Sequence, residues 1–508
     1  MDFQEISKAV AVPEILFDDF DEQPVDCDFV LPDYCPDIAA VLKCTMRPVI
    51  QSKQMSGDRL TAEGQAMIRV MYLDEGRKCV RCCEFSQPFT SSFAVRGAGV
   101  GAEVRLTAKT DYINCRATSP RRLDLHGAFT VKLKIIAEGQ CNVITSVGGE
   151  GLYARRQPVA YSVPAVSAEK PFTVSEVLEL GAGKPPAEAL IRAEAIPCLT
   201  ECKLLANKAI VKGELLLKNL YVSDIAAGTM DKAEHTIPFS QIVDVDGMNE
   251  DWACDVQLDV ISSDIHITVN QNGESTLLSV SVKILAQLQC TRSASCDVVT
   301  DMYSVRCPLK LETTHLDTEN LIGIRRGESV VKEEMELPPE GVAEIIDIWC
   351  DAAPTECRCG DGKAAVDGKM TIAMLARDAA GVVGYYERPG TFSLEFDEDC
   401  SRMDAHLAVT RVEYTASGSD KVELRIELAV TRACYRTQSC TAVTAMSADE
   451  SAGFPEEKAA LKIYYANGGE SLWEIAKSCH TSMEAVMEEN GLAADVLSSD
   501  AMLLVPLC

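Results

Sequence analysis

Hydrophobic and polar positions alternate along most of this chain, and the period is two. In Asp420–Ala433 the apolar Val422, Leu424, Ile426, Leu428 and Val430 share one face, and Glu423, Arg425 and Glu427 take the other, the pattern of a half-buried antiparallel strand. Phe129, Val131, Leu133 and Ile135 repeat it. Many such stretches joined by Gly, Asp and Ser turns predict antiparallel sandwiches or open barrels.

The stretches recur in a fixed order three times. Each unit opens on Leu and Pro ahead of an apolar segment: Leu31–Cys44, Leu178–Ala195 and Leu337–Cys350. A strand with one internal glycine follows, at Gly64, Gly213 and Gly368, and about 25 residues later comes Phe89, Phe239 or Phe392. Two long alternating segments and a short signature ending in Thr close each unit, from Cys141, Cys296 and Cys440. Successive glycines lie 149 and 155 positions apart, and successive closing cysteines 155 and 144. Four landmarks kept in register three times mark an internal repeat. The expected fold is mainly β: three repeated antiparallel sandwich or barrel-like domains at 1–160, 161–310 and 311–446. Each internal glycine is expected at a bulge or a close backbone approach. Helical spacing in Pro36–Leu42 and Ala343–Ile348 predicts one short helix in the opening segment.

From Met446 the alternation lapses into small, acidic, Pro and Gly residues, so 447–460 reads as a linker. The module at 461–508 has another rhythm. A short strand at 461–465 is followed by a Gly468-Gly469 turn and then by helical spacing through Leu472, Ile475 and Ala476. Thr481 or Ser482 is placed to cap a second helix that stops at Asn490-Gly491. A closing strand occupies 501–506, giving a βααβ order whose small core is expected to need Leu472, Trp473, Ile475, Val486 and Leu504.

Charge narrows the partners. The 508 residues carry a net charge of −29, which disfavours nucleic acid and anionic lipid surfaces and favours partners with basic patches. The N-terminal residues lack the basic and apolar regions of a signal peptide, and no apolar stretch approaches the roughly 20 residues of a membrane span. A protein that stays where it is made, with no membrane insertion, is the expectation. The 22 cysteines are then expected as reduced thiols, mostly small buried hydrophobes. Cys79, Cys82 and Cys83 contain a CxxC without a second pair or nearby histidines to complete a zinc set.

Candidate chemistry is sparse. There is no GxSxG, HExxH or P-loop pattern. Gly181–Pro186 places two prolines where a phosphate-binding helix would have to start, and Asp244–Asp251 lacks calcium-loop spacing. Six scattered histidines form no pair at helical spacing. The positions shared by all three units are Gly, Phe, Pro, Cys and Thr, which are structural types. The expectation is a non-enzyme with no catalytic residues, no metal and no cofactor.

The stretch Gly468–Leu492 resembles a LysM domain, and the resemblance covers nearly the whole terminal module. It implies a groove for N-acetylglucosamine polymers between two loops, with Gly469, Glu470, Ser471 and Leu472 on one side and Asn490, Gly491 and Leu492 on the other. Two departures favour a protein partner over a glycan. Ser498–Leu503 replaces the usual turn before the last strand, and two lysines stand against seven acids in the module. Trp473 is read as a core aromatic rather than a sugar platform. Together with Leu31–Ile38 and the triplication, the terminal module makes the chain resemble the clostridial SipL-like proteins of spore formation, which carry SPOCS domains ahead of a LysM. That resemblance implies a cytoplasmic mother-cell protein at the forespore surface. Its LysM would bind a coat-basement morphogenetic ATPase to anchor the spore coat, the alternative being a peptidoglycan-binding protein of cortex or wall.

Overall fold

The computed structural model describes residues 3–95, 103–339, 341–417, 420–449, Phe454 and 459–507. Among these residues, period-two patterning produces eighteen long strands in three sets of six. Repeat 1 holds β1 (Gln4–Val30), β2 (Ile38–Ser56), β3 (Arg59–Asp74), β4 (Val80–Ala94), β5 (Glu103–Ser119) and β6 (Arg122–Gly148). Repeat 2 holds β7 (Leu152–Glu179), β8 (Ala189–Leu205), β9 (Lys208–Asp224), β10 (Thr229–Asp244), β11 (Ala253–Thr268) and β12 (Leu277–Ser304). Repeat 3 holds β13 (Leu309–Glu336), β14 (Glu344–Gly360), β15 (Lys363–Arg377), β16 (Val383–Phe396), β17 (Arg402–Ser417) and β18 (Lys421–Ala448). In each repeat the first, sixth and fifth strands form one antiparallel sheet, and the second, third and fourth form the other. Their apolar faces meet in one core, as where Ile68, Val70 and Phe89 pack with Leu125, Val131 and Leu133 in repeat 1.

Two landmarks that look separate in sequence are one structural device. Gly64 pairs with Phe89, Gly213 with Phe239 and Gly368 with Phe392 across neighbouring strands. A methyl group on any of these glycines would overlap the paired ring and a carbonyl oxygen of the strand on the other side. On that other strand lies a bulge in all three repeats, at Ile50/Ser52, Leu199/Glu201 and Pro354/Glu356. The glycine thus marks both a bulge and a close approach, and the ring covers the gap that the missing side chain leaves.

The helix expected in the opening segment is absent. Pro36–Leu42 leads into β2 and Ala343–Ile348 into β14. Bulges at Ile38/Ala40, Val41/Lys43 and Ile345/Asp347 shift the side-chain alternation by one residue, which imitates helical spacing. Ile345, Ile346 and Ile348 also favour strand because branching at Cβ restricts χ1 in a helix.

The first and last strands of each repeat are nearly twice as long as the rest because they leave the sandwich. The fifth strand reaches only to Ile136, Thr291 and Tyr435 of its partners, so beyond these points the first and sixth strands continue as a two-stranded ribbon. The exit carries a bulge each time, at Ile15/Phe17, Cys290/Thr291 and Leu321/Gly323. The three ribbons then bury one another. Val143, Val298 and Ala442 share one cluster, and Ile144, Val299 and Val443 share the next. The repeated closing signature is therefore the contact between ribbons.

A second three-way contact joins the sandwiches. Met71, Leu220 and Leu375, each seven residues past the landmark glycine, meet in one apolar cluster, so the repeats stand around an approximate threefold axis. At its rim Arg192 donates to Asp347 at 3.0 Å, both side chains are nearly buried, and the guanidinium lies over the Trp349 ring. Lys43 bridges to Glu387 between repeats 1 and 3. No helix among the described residues is long and apolar enough to cross a membrane.

Candidate docking site in the C-terminal module

The terminal module forms β19 (Leu461–Ala466), α1 (Leu472–Ser478), α2 (Met483–Asn490) and β20 (Ala501–Pro506). Its helices begin where sequence chemistry permits. Ser471 caps α1 by accepting from the Trp473 amide, and Ser482 caps α2 by accepting from the Ala485 amide. Gly491 takes the left-handed conformation that ends α2. Leu472, Trp473, Ile475 and Val486 are buried. Leu504 is not among the buried residues: β19 and β20 pair so that Leu503 and Val505 face the helices. A shift of one position along a strand moves a side chain to the opposite face.

The two loops expected to flank a groove are fastened to each other. The Gly469 amide donates to the Leu497 carbonyl at 2.7 Å, the Leu497 amide to that of Glu470 at 3.0 Å, and the Leu472 amide to that of Asp495 at 2.7 Å. The Asp495 carboxylate also accepts from the Ser471 hydroxyl. Glu470 accepts from Asn467 and Tyr464, and these bonds hold its carboxyl below the usual range. Asn490 is a frame residue, its side-chain amide donating to the Val486 and Leu504 carbonyls and accepting from the Leu504 amide. Leu472 is fully buried, and Leu492 packs partly into the same core. Of the seven candidate residues, only Gly469 and Gly491 are exposed.

The module lies against repeat 2, although it follows repeat 3 in the chain. Trp473 meets the Tyr303 ring edge-on at 4.9 Å between centroids, and its indole Nε1 donates to Asp301 at 2.7 Å. Lys477 donates to the same carboxylate. The Tyr303 hydroxyl donates to the Thr481 carbonyl at 2.8 Å, and burial pushes its phenol up, keeping it protonated. Arg155 pairs with Asp495 at 3.0 Å. Trp473 is a core aromatic as expected, and it is also the contact that joins the module to repeat 2. His480 is half-buried and stacks on the Phe454 ring.

The hairpin turns an apolar face outward. Leu461, Ile463 and Tyr465 on β19 and Met502 on β20 are exposed, Tyr465 by 77%. Tyr465 pairs directly with Met502, and Ile463 with Leu504.

A family model for the SipL SPOCS domain matches residues 37–118 and 186–268, and a LysM model matches 467–506. The chain is SipL-like. Each SPOCS match covers the second to fifth strands of its repeat, so the long first and sixth strands and their ribbons lie outside it. Repeat 3 has the same strand order. Comparison with curated proteins and with solved structures gave no match. The domain set of this SipL-like chain ties it to sporulation and provides a module of the peptidoglycan-binding type, and both domain families are non-catalytic.

One set of Ser, His and Asp side chains has its members in the wrong order for a catalytic triad. Ser439 donates to Asp317 Oδ1 at 2.6 Å, and His315 approaches the same oxygen at 3.1 Å. The carboxylate stands between the two, whereas general-base activation requires the imidazole in the middle. His126 and His266 face Asp26 and Asp264 on exposed surface.

Proposed function

We propose that this SipL-like chain is a non-catalytic sporulation adaptor, which assembles or anchors the spore coat around the forespore from the mother-cell side. Its LysM module binds a coat-basement morphogenetic ATPase, while the triplicated β body provides a rigid support. The observation that carries this reading is the outward apolar face at Leu461, Ile463, Tyr465 and Met502, beside loops already closed on each other. An exposed apolar patch on a module with two lysines and seven acids suits a protein surface with basic flanks better than a neutral sugar chain. In this reading Gly469, Glu470 and Gly491 are contact residues, and Ser471, Leu472, Asn490 and Leu492 hold their shape.

The test uses the full chain. Wild-type protein should capture the purified ATPase, and Tyr465→Asp should lose that capture while leaving the far-ultraviolet spectrum unchanged. The second reading, binding of N-acetylglucosamine polymers, has the LysM match itself in its favour. Saturable binding to chitin oligomers or peptidoglycan, without capture of the ATPase, would establish it instead.

A further inference from the structure

The deliberate placement of thiols in repeat 2 goes beyond anything that adaptor function needs. Cys254 and Cys290 are direct partners across β11 and β12, and their sulfurs stand 3.0 Å apart inside the core. Residues directly opposed in an antiparallel pair have Cα atoms about 4.5–5.5 Å apart, within the window of roughly 4.4–6.8 Å that a disulfide spans. Cys202 on β8 is within side-chain hydrogen-bonding reach of Cys254. It is half-buried, whereas Cys254 and Cys290 are buried. Arg326 of repeat 3 adds positive charge at this corner, and its Nε is buried without a hydrogen-bond partner. The hydrogen bond from Cys254, together with that charge, holds the Cys202 thiol below its usual value against the effect of burial, while Cys254 is pushed up.

Repeat 3 reaches a similar arrangement. Cys434 occupies the place of Cys290, six residues before the closing signature. Cys400 stands 3.5 Å from Cys359 and within hydrogen-bonding reach of Cys434. No group of three or more His, Cys, Asp and Glu among the described residues could hold a metal ion.

We propose that Cys202, Cys254 and Cys290 form a thiol–disulfide exchange site whose stable oxidised form is the cross-strand Cys254–Cys290 disulfide, with a small-molecule disulfide as the oxidant. Cys202 is the entry thiol because it is the least buried of the three. Its thiolate attacks one sulfur of the small disulfide, forming a mixed disulfide and releasing one small thiolate. Cys254 loses its proton and attacks the Cys202 sulfur, releasing the second small thiolate and forming Cys202–Cys254. Cys290 then loses its proton and attacks the Cys254 sulfur. Cys202 is released as a thiolate, and the buried pair is left joined. Two protein thiols give up two electrons and two protons, and the small disulfide is reduced to two thiols. The product ties edge strand β11 to central strand β12, and so locks the repeat when the surroundings become oxidising.

The experiment incubates the native full chain with oxidised glutathione, quenches with an alkylating agent and maps peptides by mass spectrometry. A Cys254–Cys290 linked peptide should accumulate, with Cys202 alkylated, and the melting temperature should rise. Cys202→Ser should lose the linked peptide over the same incubation while keeping the wild-type circular dichroism spectrum. Cys254→Ala should lose it and accumulate glutathione on Cys202. Full alkylation of both Cys254 and Cys290 after prolonged oxidation of the wild-type chain would overturn the proposal. Linkage formed equally fast in Cys202→Ser would remove Cys202 from its role as the entry thiol. The wild-type result stands alone if either variant fails to fold.

Discussion

The tips of the three ribbons are built alike, yet only one holds the LysM module. Five and seven residues past the closing cysteine, repeat 2 carries Asp301 and Tyr303. Repeat 1 has Ser146 and Gly148 at those places, and repeat 3 has Ala445 and Ser447. At those two places neither of the other tips has a carboxylate for the Trp473 indole and Lys477, or a ring for Trp473 to meet. Two side chains on a repeated backbone thus set repeat 2 apart at the place where the terminal module settles, although the module follows repeat 3 in the chain. The landmarks that recur build the symmetric part of the molecule, and side chains that do not recur meet the LysM module.

The strongest way to break this difference is at the shared aromatic contact. Trp473→Ala empties a buried site in the LysM core and removes the ring that meets Tyr303. A loss of about 3–5 kcal/mol is expected for a buried Trp truncated to Ala. Urea unfolding of the full chain should then show the terminal module melting at lower denaturant than the β body. A single unshifted transition would mean that the ring contributes little to either core or docking.

Next in size is the carboxylate. Asp301→Ser gives repeat 2 the residue that repeat 1 has at that place, and strips a partner from both the indole Nε1 and Lys477. An unpaired buried donor costs about 1–3 kcal/mol, and Lys477, about a third exposed, regains water and lowers the loss within that range. Hydrogen exchange at the α1 amides should quicken while β12 stays protected. Equal quickening throughout repeat 2 would show that Asp301 supports the ribbon rather than the docking.

Sequence reading reached the triplication because each landmark is a backbone demand. Gly64, Gly213 and Gly368 have to be glycine, and Phe89, Phe239 and Phe392 have to cover them, so the pattern survives where other side chains vary. Alternation in Val422–Val430 gave the buried face of β18 directly. The helix expectation at Pro36–Leu42 and Ala343–Ile348 failed because a bulge breaks alternation and leaves no mark of its own in composition. The ribbon contacts were hidden in plain view: Cys141, Cys296 and Cys440 announced a repeat, but not that Val143, Val298 and Ala442 pack together. The docking pair was out of reach, since Trp473 and Asp301 are 172 positions apart and no periodicity connects them. Around the seven groove candidates, the turn at Gly468-Gly469 and the helix stop at Asn490-Gly491 were legible. The bonds of Asn490 to β20 were not, because they depend on how the strand returns beside α2.

Smaller effects separate the ring of Tyr303 from its hydroxyl. Tyr303→Phe keeps the edge-on contact and removes the donor to the Thr481 carbonyl, so a loss of about 1 kcal/mol is expected. If the loss instead approaches that of Trp473→Ala, the hydroxyl is part of a larger network than the two-residue contact described above.

The least costly change tests whether charge contributes to docking at all. Arg155 and Asp495 bridge repeat 2 and the LysM module at 3.0 Å, with side chains 48% and 33% exposed. Such a pair is screened by solvent and holds two flexible groups in one geometry, so Arg155→Ala should cost less than about 1 kcal/mol. Any effect should fade as salt rises toward 1 M, where the screening length falls to about 3 Å. Thermal unfolding of Arg155→Ala at low and high salt measures both. A large, salt-independent loss would place the docking energy in this ion pair and not in the Trp473–Tyr303–Asp301 contact, and would leave the difference between the three ribbon tips without its cause.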